Sequence, residues 1–162
     1  TIRDQGFKPS AILLVGTGDT PETLDAVGAA YLEGVLVVGY PRNDITDAFG
    51  PGNKAYLAAY RAKYKAEPIA PQGMAAYSGT MIMFEAIKAA GSVDPEKVRA
   101  AAAKLDKPES SYPSGFGAKF DKNMQNVRAW FTASQWQAGK MVTVFPQNAA
   151  LPGVAVKPLG RP

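Results

Sequence analysis

The apolar and polar positions of the first forty residues predict a strand, a helix and a second strand. Continuous apolar runs at 11–16 and 34–40, AILLVG and GVLVVGY, have the length and composition of buried parallel strands. Thr20 or Asp19 can cap a helix over about 21–32, because Pro21 suits the first helical position. This order of elements predicts a β-α-β unit with a right-handed crossover.

The middle of the chain places apolar residues at helical spacing. Segment 54–65, KAYLAAYRAKYK, puts three tyrosines on one face, which favours packing over an aromatic binding strip. Segment 74–91 predicts a long helix that stops at Gly91. Its predicted apolar stripe consists of Met74, Tyr77, Met81, Phe84 and Ile87. The Asp-Pro-Glu at 94–96 opens a third helix that ends near Leu105.

Strand patterns return towards the end of the chain. Segment 116–121, FGAKFD, predicts a short strand, and segments 127–137 and 141–146 flank an Ala-Gly-Lys turn as an antiparallel hairpin. A proline-containing tail from Ala150 is expected to run over the surface. The whole order predicts an α/β fold with an antiparallel edge.

Composition narrows the possible chemistry. The chain has 162 residues, a net charge of +4 and no cysteine or histidine. Thiol catalysis, Ser-His couples and Cys- or His-based metal sites are therefore excluded, and we expect no metal. The basic residues form no stripe of the kind that binds nucleic acid. A lack of cysteine suits both the cytosol and a bacterial periplasm.

The glycine turn in LLVGTGDTPETL, residues 13–24, is a weak match to a dinucleotide site. Gly16 and Gly18 fit the Gly-x-Gly-x-x-Gly pattern, but Pro21 stands at the third glycine position. Asp19 would repel a pyrophosphate, and the second strand ends without an acid for a ribose. Because Arg42 could pair with a 2′-phosphate, an NADP-dependent reductase remains an alternative, although we expect no cofactor.

The same turn lies where open α/β sheets bind other ligands. Thr17, Asp19 and Thr20 follow the carboxyl end of the first predicted strand, and Tyr40 and Arg42 follow that of the second. Asp19 either pairs with a cationic group of a ligand or only caps the helix, and the sequence leaves both open. Tyr40 and Arg42 are expected to line a cleft, whereas spacing alone favours core packing for Tyr77, in the first turn of the long helix.

Residues 55–98, AYLAAYRAKYKAEPIAPQGMAAYSGTMIMFEAIKAAGSVDPEKV, resemble the second half of the type I periplasmic solute-binding proteins. These are the branched-chain amino-acid receptors of ABC transporters. GFGAKFDKN with QWQAGKMVTVFP resembles the closing strand and hairpin of that family, and YLEGVLVVGYPRND resembles the strand that leads back towards its hinge. The resemblance covers nearly the whole chain.

The resemblance implies two α/β lobes with a parallel sheet, helices on both faces and a C-terminal antiparallel hairpin. Three crossovers join the lobes, and a solute binds between them without catalysis. The solute, an amino acid or related organic acid or amide, passes to the membrane subunits of an ABC transporter, which implies a periplasmic location. The acid that meets the ligand in the family matches Gly18, with Asp19 as the nearest acid, and the cleft-lining proline loop matches Gln72. The expected ligand-binding residues are Thr17, Gly18, Asp19, Tyr40, Arg42, Gln72 and Tyr77.

The resemblance also divides the chain. Residues 1–44 are expected to end the second lobe, 45–147 to return into the first lobe with the helices and the hairpin, and 148–162 to form a tail. Residues 1–8 read as the tail of a helix ending at Gly6. The sequence thus corresponds to a C-terminal portion, whose expected partner is the missing N-terminal half or a second copy. A ligand-sensing regulatory domain on the same fold is the other alternative.

Overall fold

A computed structural model describes residues 4–160 of the chain. It confirms the mixed α/β class, with the elements in the following order. They are β1 (Leu13–Val15), α1 (Pro21–Val27), α2 (Ala29–Leu32), β2 (Leu36–Gly39), α3 (Asn53–Tyr64), α4 (Gln72–Ala90), α5 (Pro95–Ala102), β3 (Asp106–Lys107), β4 (Ala118–Lys119), β5 (Thr132–Gln137) and β6 (Lys140–Phe145).

A four-stranded sheet in the order β1-β2-β5-β6 organises the two ends of the described chain. β1 and β2 pair in parallel, with Val15 opposite Val38, which confirms the predicted β-α-β unit. β2 and β5 pair antiparallel, and so do β5 and β6. Both predicted parallel strands are shorter than their apolar runs.

The helix between β1 and β2 differs from the prediction in two ways. Gly28 adopts φ +86° and divides the predicted helix into α1 and α2, because this backbone conformation cannot continue a right-handed helix. Thr20 caps α1, since its hydroxyl accepts a hydrogen bond of 3.4 Å from the Thr23 amide. The alternative in which Asp19 caps the helix is therefore wrong.

One face of the sheet carries a compact apolar core beneath α1 and α2. Leu32, Val35, Val37 and Trp136 form its buried centre, and the partly buried Leu24 packs against them. Burying side chains of this size contributes about 1.5–3 kcal/mol each relative to exposure. Consequently the two short helices are held mainly by tertiary packing.

The predicted C-terminal hairpin forms, with its first strand beginning at Thr132 instead of residue 127, and it joins the first sheet. Ala138 and Gly139, at φ +51° and +72°, make the two-residue turn between β5 and β6. Because β5 pairs with β2, the hairpin lies in the sheet of the first segment. The expected division grouped it with the helices, and strand pairing places it instead in what we call the sheet unit: β1, α1, α2, β2, β5 and β6.

The remaining elements, α3 to α5 with β3 and β4, form what we call the helix unit. Gly91 ends α4 at φ +59°, and Asp94 caps α5 by accepting a 3.0 Å hydrogen bond from the Lys97 amide, as the sequence predicted. The short pair β3–β4 includes one strand, Asp106–Lys107, that the sequence pattern did not predict.

The buried stripe of α4 shares only Met74 with the predicted one. It consists of Met74, Ser78, Ile82 and Ala86. Tyr77 and Phe84 are instead 46% and 61% exposed, so core packing is wrong for both. The small Ser78 is selected because a neighbouring loop approaches α4 closely, and its hydroxyl accepts a 3.1 Å hydrogen bond from the Ser114 amide.

Three stretches of chain lie where the two units meet: residues 40–52 and 120–131, which connect the units, and residues 146–150, which lead from β6 into the tail. The first and third are tied together, because the Thr46 amide donates to the Ala149 carbonyl at 3.0 Å. Ile45, Met74 and Ala149 bury one another where these stretches meet α4.

The chain ends return to the sheet unit. The Lys157 amide donates to Gln135, and the Gly160 amide donates to the Glu33 carbonyl at 2.7 Å, so the tail runs along the sheet. Near the start, Gly6 adopts the left-handed φ of +69° expected there. Residues 4–6 form a turn, and residues 1–3 of the predicted helix tail lie outside the described residues.

Candidate functional site

An ion-pair network lies at the carboxyl edge of the parallel strands. The Arg42 guanidinium donates to the Asp19 carboxylate at 3.0 Å, and its Nε lies 3.5 Å from Asp44 Oδ1. Asp44 in turn accepts hydrogen bonds from the amide and hydroxyl of Thr143, at 2.7 and 3.1 Å. The network thus joins the turn after β1, the stretch after β2 and strand β6.

Asp19 is the buried member of this network. Its side chain is only 7% exposed, whereas that of Arg42 is 23% exposed. A carboxylate removed from water needs a partner, and the guanidinium supplies it. A ligand ammonium group would therefore have to compete with Arg42 for this carboxylate.

Gly18 holds the turn against the sheet. A Cβ at this position would lie 2.8–2.9 Å from the Leu14 side chain, so only glycine fits without a shift. The Gly18 carbonyl accepts a 2.9 Å hydrogen bond from the Trp136 indole. Thr17 is exposed, and its carbonyl accepts a 3.0 Å hydrogen bond from the Thr23 hydroxyl.

Aromatic rings lie at the same edge of the sheet. Tyr40 packs edge-on against Phe131, with ring centroids 5.6 Å apart. Phe131 precedes β5 and Phe145 ends β6, so strand register brings both to the edge where Tyr40 leaves β2. Sequence reasoning missed both phenylalanines, although their positions at the ends of the hairpin were a usable signal.

The other two predicted site residues belong to the helix unit. Gln72 is exposed at the start of α4, and the Tyr77 ring lies 5.2 Å from that of Tyr56. Within residues 4–160, neither forms a hydrogen bond or ion pair with Asp19 or Arg42. The structure thus brings the charged candidates Asp19 and Arg42 into contact, whereas Gln72 and Tyr77 lie on α4.

Tyr77 lines an open groove between α3 and α4 with a volume of about 770 Å³. Tyr56, Tyr60 and Tyr64 follow one another along its α3 wall, with ring centroids 6.1 and 4.6 Å apart. Burial raises the pKa of Tyr56 above its ordinary value. The three rings pack on one another and Tyr56 also packs on a buried cluster, as the sequence predicted, and the row in addition borders the groove.

Neither a metal-binding cluster nor a membrane-spanning helix occurs in the described part of the chain. Residues 4–160 contain no group of three or more metal-ligating acidic, cysteine or histidine side chains. None of their helices combines the length and the apolar character that crossing a bilayer requires.

Comparison with known proteins gives relatives for nearly the whole chain. A family model described as "periplasmic binding protein" matches residues 1–140. Leu/Ile/Val-binding protein homolog 8 of Brucella abortus is 37% identical over 149 residues, which cover 91% of this chain and 37% of that protein. Leu/Ile/Val-binding protein homolog 7 of Brucella suis is 35% identical over 147 residues, which cover 90% of this chain and 37% of that protein. The chain thus spans little more than a third of these relatives.

Solved structures give the same picture. A leucine binding protein from Thermotoga maritima superposes with a TM-score of 0.68 at 25% identity, covering 93% of this chain and 39% of that one. A fatty acid ABC transporter substrate-binding protein from Thermomonospora curvata superposes with a TM-score of 0.64 at 20% identity, covering 96% and 41%. The second likeness shows the fold alone.

Proposed function

This chain belongs to the periplasmic binding protein family, and we propose that it binds a small solute between two lobes and delivers it to an ABC transporter. The proposed solute is an amino acid or a related organic acid or amide. The relatives named for leucine, isoleucine and valine support this class. The proposed role is binding without catalysis.

The Asp19–Arg42 pair is the observation that carries the proposal. It lies at the carboxyl edge of the parallel strands, where open α/β sheets bind ligands. The stretch that contains Arg42 also leads into the helix unit, so the pair lies at the passage between the two units. Charged groups held in this position are suited to orienting a polar solute.

The two units correspond to the proposed lobes. We assign the sheet unit, including the hairpin, to the second lobe, and the helix unit to the first. A boundary near residue 44 and a tail from residue 148 remain part of this proposal. On this assignment Thr17, Gly18, Asp19, Tyr40 and Arg42 come from the second lobe, and Gln72 and Tyr77 from the first.

The proposal requires groups beyond this chain. The chain spans 37% of its Brucella relatives. We therefore propose that an N-terminal half completes the first lobe. The alternative partner is a second copy of the chain. Transporter membrane subunits are the proposed receivers of the solute, and the periplasm is the proposed location.

Calorimetry tests the proposal on the product of the entire reading frame that contains these residues. Leucine, valine, an aliphatic carboxylate and an aliphatic amide form the panel, and one of them is expected to bind with a stoichiometry of one. Tyr77→Phe should weaken that binding by about 0.5–1.5 kcal/mol, the value of one hydrogen bond, with thermal stability nearly unchanged.

The matched control is Tyr64→Phe, because Tyr64 lies at the exposed end of the same tyrosine row. It should change neither binding nor stability. Absence of binding across the panel would contradict the proposed function. A loss of stability in Tyr77→Phe with intact binding would instead show that Tyr77 has a structural role.

A further inference from the structure

A second pocket lies at the junction of the two units, with a volume of about 430 Å³. We call it the junction pocket. It draws on the stretches that pass between the units and on the loop before β4, and its principal walls are Phe49, Glu109, Phe116, Trp130, Phe131 and Phe145. No residue of the expected solute site lines it.

The aromatic walls of the junction pocket are unusually open to solvent. Trp130, Phe131 and Phe145 are each 60–63% exposed. Large aromatic rings are costly to leave in water, and their contiguous exposure around a concave surface indicates a binding site. The π-faces of such rings attract cations, with tryptophan the strongest.

Glu109 gives the junction pocket its charge. It is the one charged residue among the lining residues, and it forms no ion pair within residues 4–160. The Trp130 indole donates a 2.9 Å hydrogen bond to Glu109 Oε1, which fixes the carboxylate beside the largest ring. The pocket therefore combines aromatic faces with an uncompensated negative charge.

We propose that the junction pocket binds a small organic cation with an apolar surface, such as a quaternary ammonium compound. The carboxylate disfavours anions, and a single carboxylate among aromatic rings offers too few oxygen ligands for a hard metal ion. Methylated ammonium groups suit this environment because they are attracted to aromatic faces and need no hydrogen-bond acceptors. The proposal is argued from this chain's own residues, and the pocket adjoins the expected solute site through the Tyr40–Phe131 contact.

Titration of the 162-residue chain with choline tests the proposal. Dimethylbutanol, the neutral analogue with carbon in place of nitrogen, is the matched ligand control. A ligand-dependent change in tryptophan fluorescence reports on Trp130, because Trp130 lines the pocket and Trp136 is buried elsewhere, and calorimetry gives the affinity. Choline is expected to change the fluorescence in a saturable manner and to bind more tightly than dimethylbutanol.

Two variants separate the contribution of the Glu109 charge to choline binding from that of the Trp130 ring. Glu109→Gln retains the acceptor for Trp130 and should weaken choline binding about two- to fivefold. Trp130→Ala should weaken choline binding about two- to thirtyfold. The affinity of Trp130→Phe should lie between that of the unaltered chain and that of Trp130→Ala. Glu96→Gln, an exposed acid in the first turn of α5, should have no effect, and circular dichroism verifies that each variant folds.

Equal binding of choline and dimethylbutanol would overturn the proposal, because the charge would then have no role. Binding that persists unchanged in Trp130→Ala would place the cation elsewhere and would also overturn it. Solute binding by the longer product is a separate measurement, so either proposal can fail without the other.

Discussion

At the scale of single residues, Arg42 has two carboxylate neighbours and only one of them is buried. Asp19 is almost fully enclosed, whereas Asp44 is partly exposed and also holds Thr143. Removing the guanidinium leaves the Asp19 charge buried without its partner. Loss of one member of a buried pair costs more than the pair contributes, because the desolvation penalty of the other member remains.

Arg42→Gln is therefore expected to lower the free energy of unfolding by about 1–3 kcal/mol. Urea denaturation measures the change. The double variant Asp19→Asn/Arg42→Gln should recover part of the loss, since it removes the unpaired charge. Lys54→Gln is the control, because the Lys54–Asp47 pair is exposed and should contribute about 0–1 kcal/mol. Equal losses for Arg42→Gln and Lys54→Gln would contradict this account.

Tyr112 gives a second prediction at this scale. Burial, followed by the nearby Glu85 carboxylate, raises the pKa of Tyr112 to about 12. An unfolded tyrosine titrates near pH 10 (~10), so between pH 10 and 12 the unfolded state loses its proton first. The raised pKa therefore makes stability fall as pH rises through this window, by up to about 1.4 kcal/mol per pH unit.

Denaturation of the chain and of Tyr112→Phe at several pH values between about 9 and 12 measures this effect. The phenylalanine variant should show a shallower decline, because the other tyrosines are common to both proteins. Identical slopes would mean that Tyr112 titrates as it does in the unfolded chain.

At the scale of elements, the C-terminal tail depends on one glycine. Gly34 adopts φ +82°, and a Cβ there would overlap the Pro158 carbonyl and lie 2.6 Å from Leu159 Cα. Gln135, buried in β5, holds the same stretch through its side chain, which donates to the Lys157 carbonyl and accepts from the Lys157 amide. The tail thus lies against the sheet because Gly34 leaves room for it.

Gly34→Ala should release the tail. The left-handed backbone alone costs alanine about 1–2 kcal/mol, and the overlap adds to this cost. Hydrogen exchange of the Lys157 and Gly160 amides is expected to accelerate. Gly91→Ala is the matched control, because Gly91 also has a positive φ but no atom within 4 Å of the added Cβ. If both variants leave these two amides equally protected, Gly34 does not control the tail.

At the scale of the whole molecule, β1 is an edge strand with an apolar outer surface. Within residues 4–160, no strand pairs with its outer edge. Val15 is 77% exposed on this strand, and Leu13 is 56% exposed two residues before it. Unprotected apolar edges promote pairing with another chain.

We therefore expect the isolated 162-residue chain to self-associate, and sedimentation velocity at several concentrations measures this. Val15→Lys should shift the population towards the monomer, because a charged side chain blocks pairing at an edge. Val93→Lys controls for added charge, since Val93 is 82% exposed in the loop before α5. A stable monomer at every concentration, or equal effects of the two lysines, would contradict the edge mechanism.

Local sequence determined the type and order of most elements. The runs before Gly16 and Tyr40 specify strands, Asp94 and Gly91 mark helix ends, and the Ala138–Gly139 turn specifies the hairpin. Each of these signals acts over a few residues, through backbone conformation, capping or alternation of side chains. The order β-α-β also determined that the ends of β1 and β2 share an edge, which is why Asp19 and Arg42 lie near each other.

Only the tertiary structure decided what depends on partners distant in sequence. Periodicity could not show that α4 buries Ser78 and Ala86 rather than Tyr77 and Phe84, because a close loop approach favours small residues. It could not assign the hairpin to β2, since strand pairing joins segments about a hundred residues apart (Leu36 with Gln135, for example). The Asp19–Arg42 contact and the junction pocket likewise exist only where separate stretches of chain converge, and local patterns carry no information about such distances.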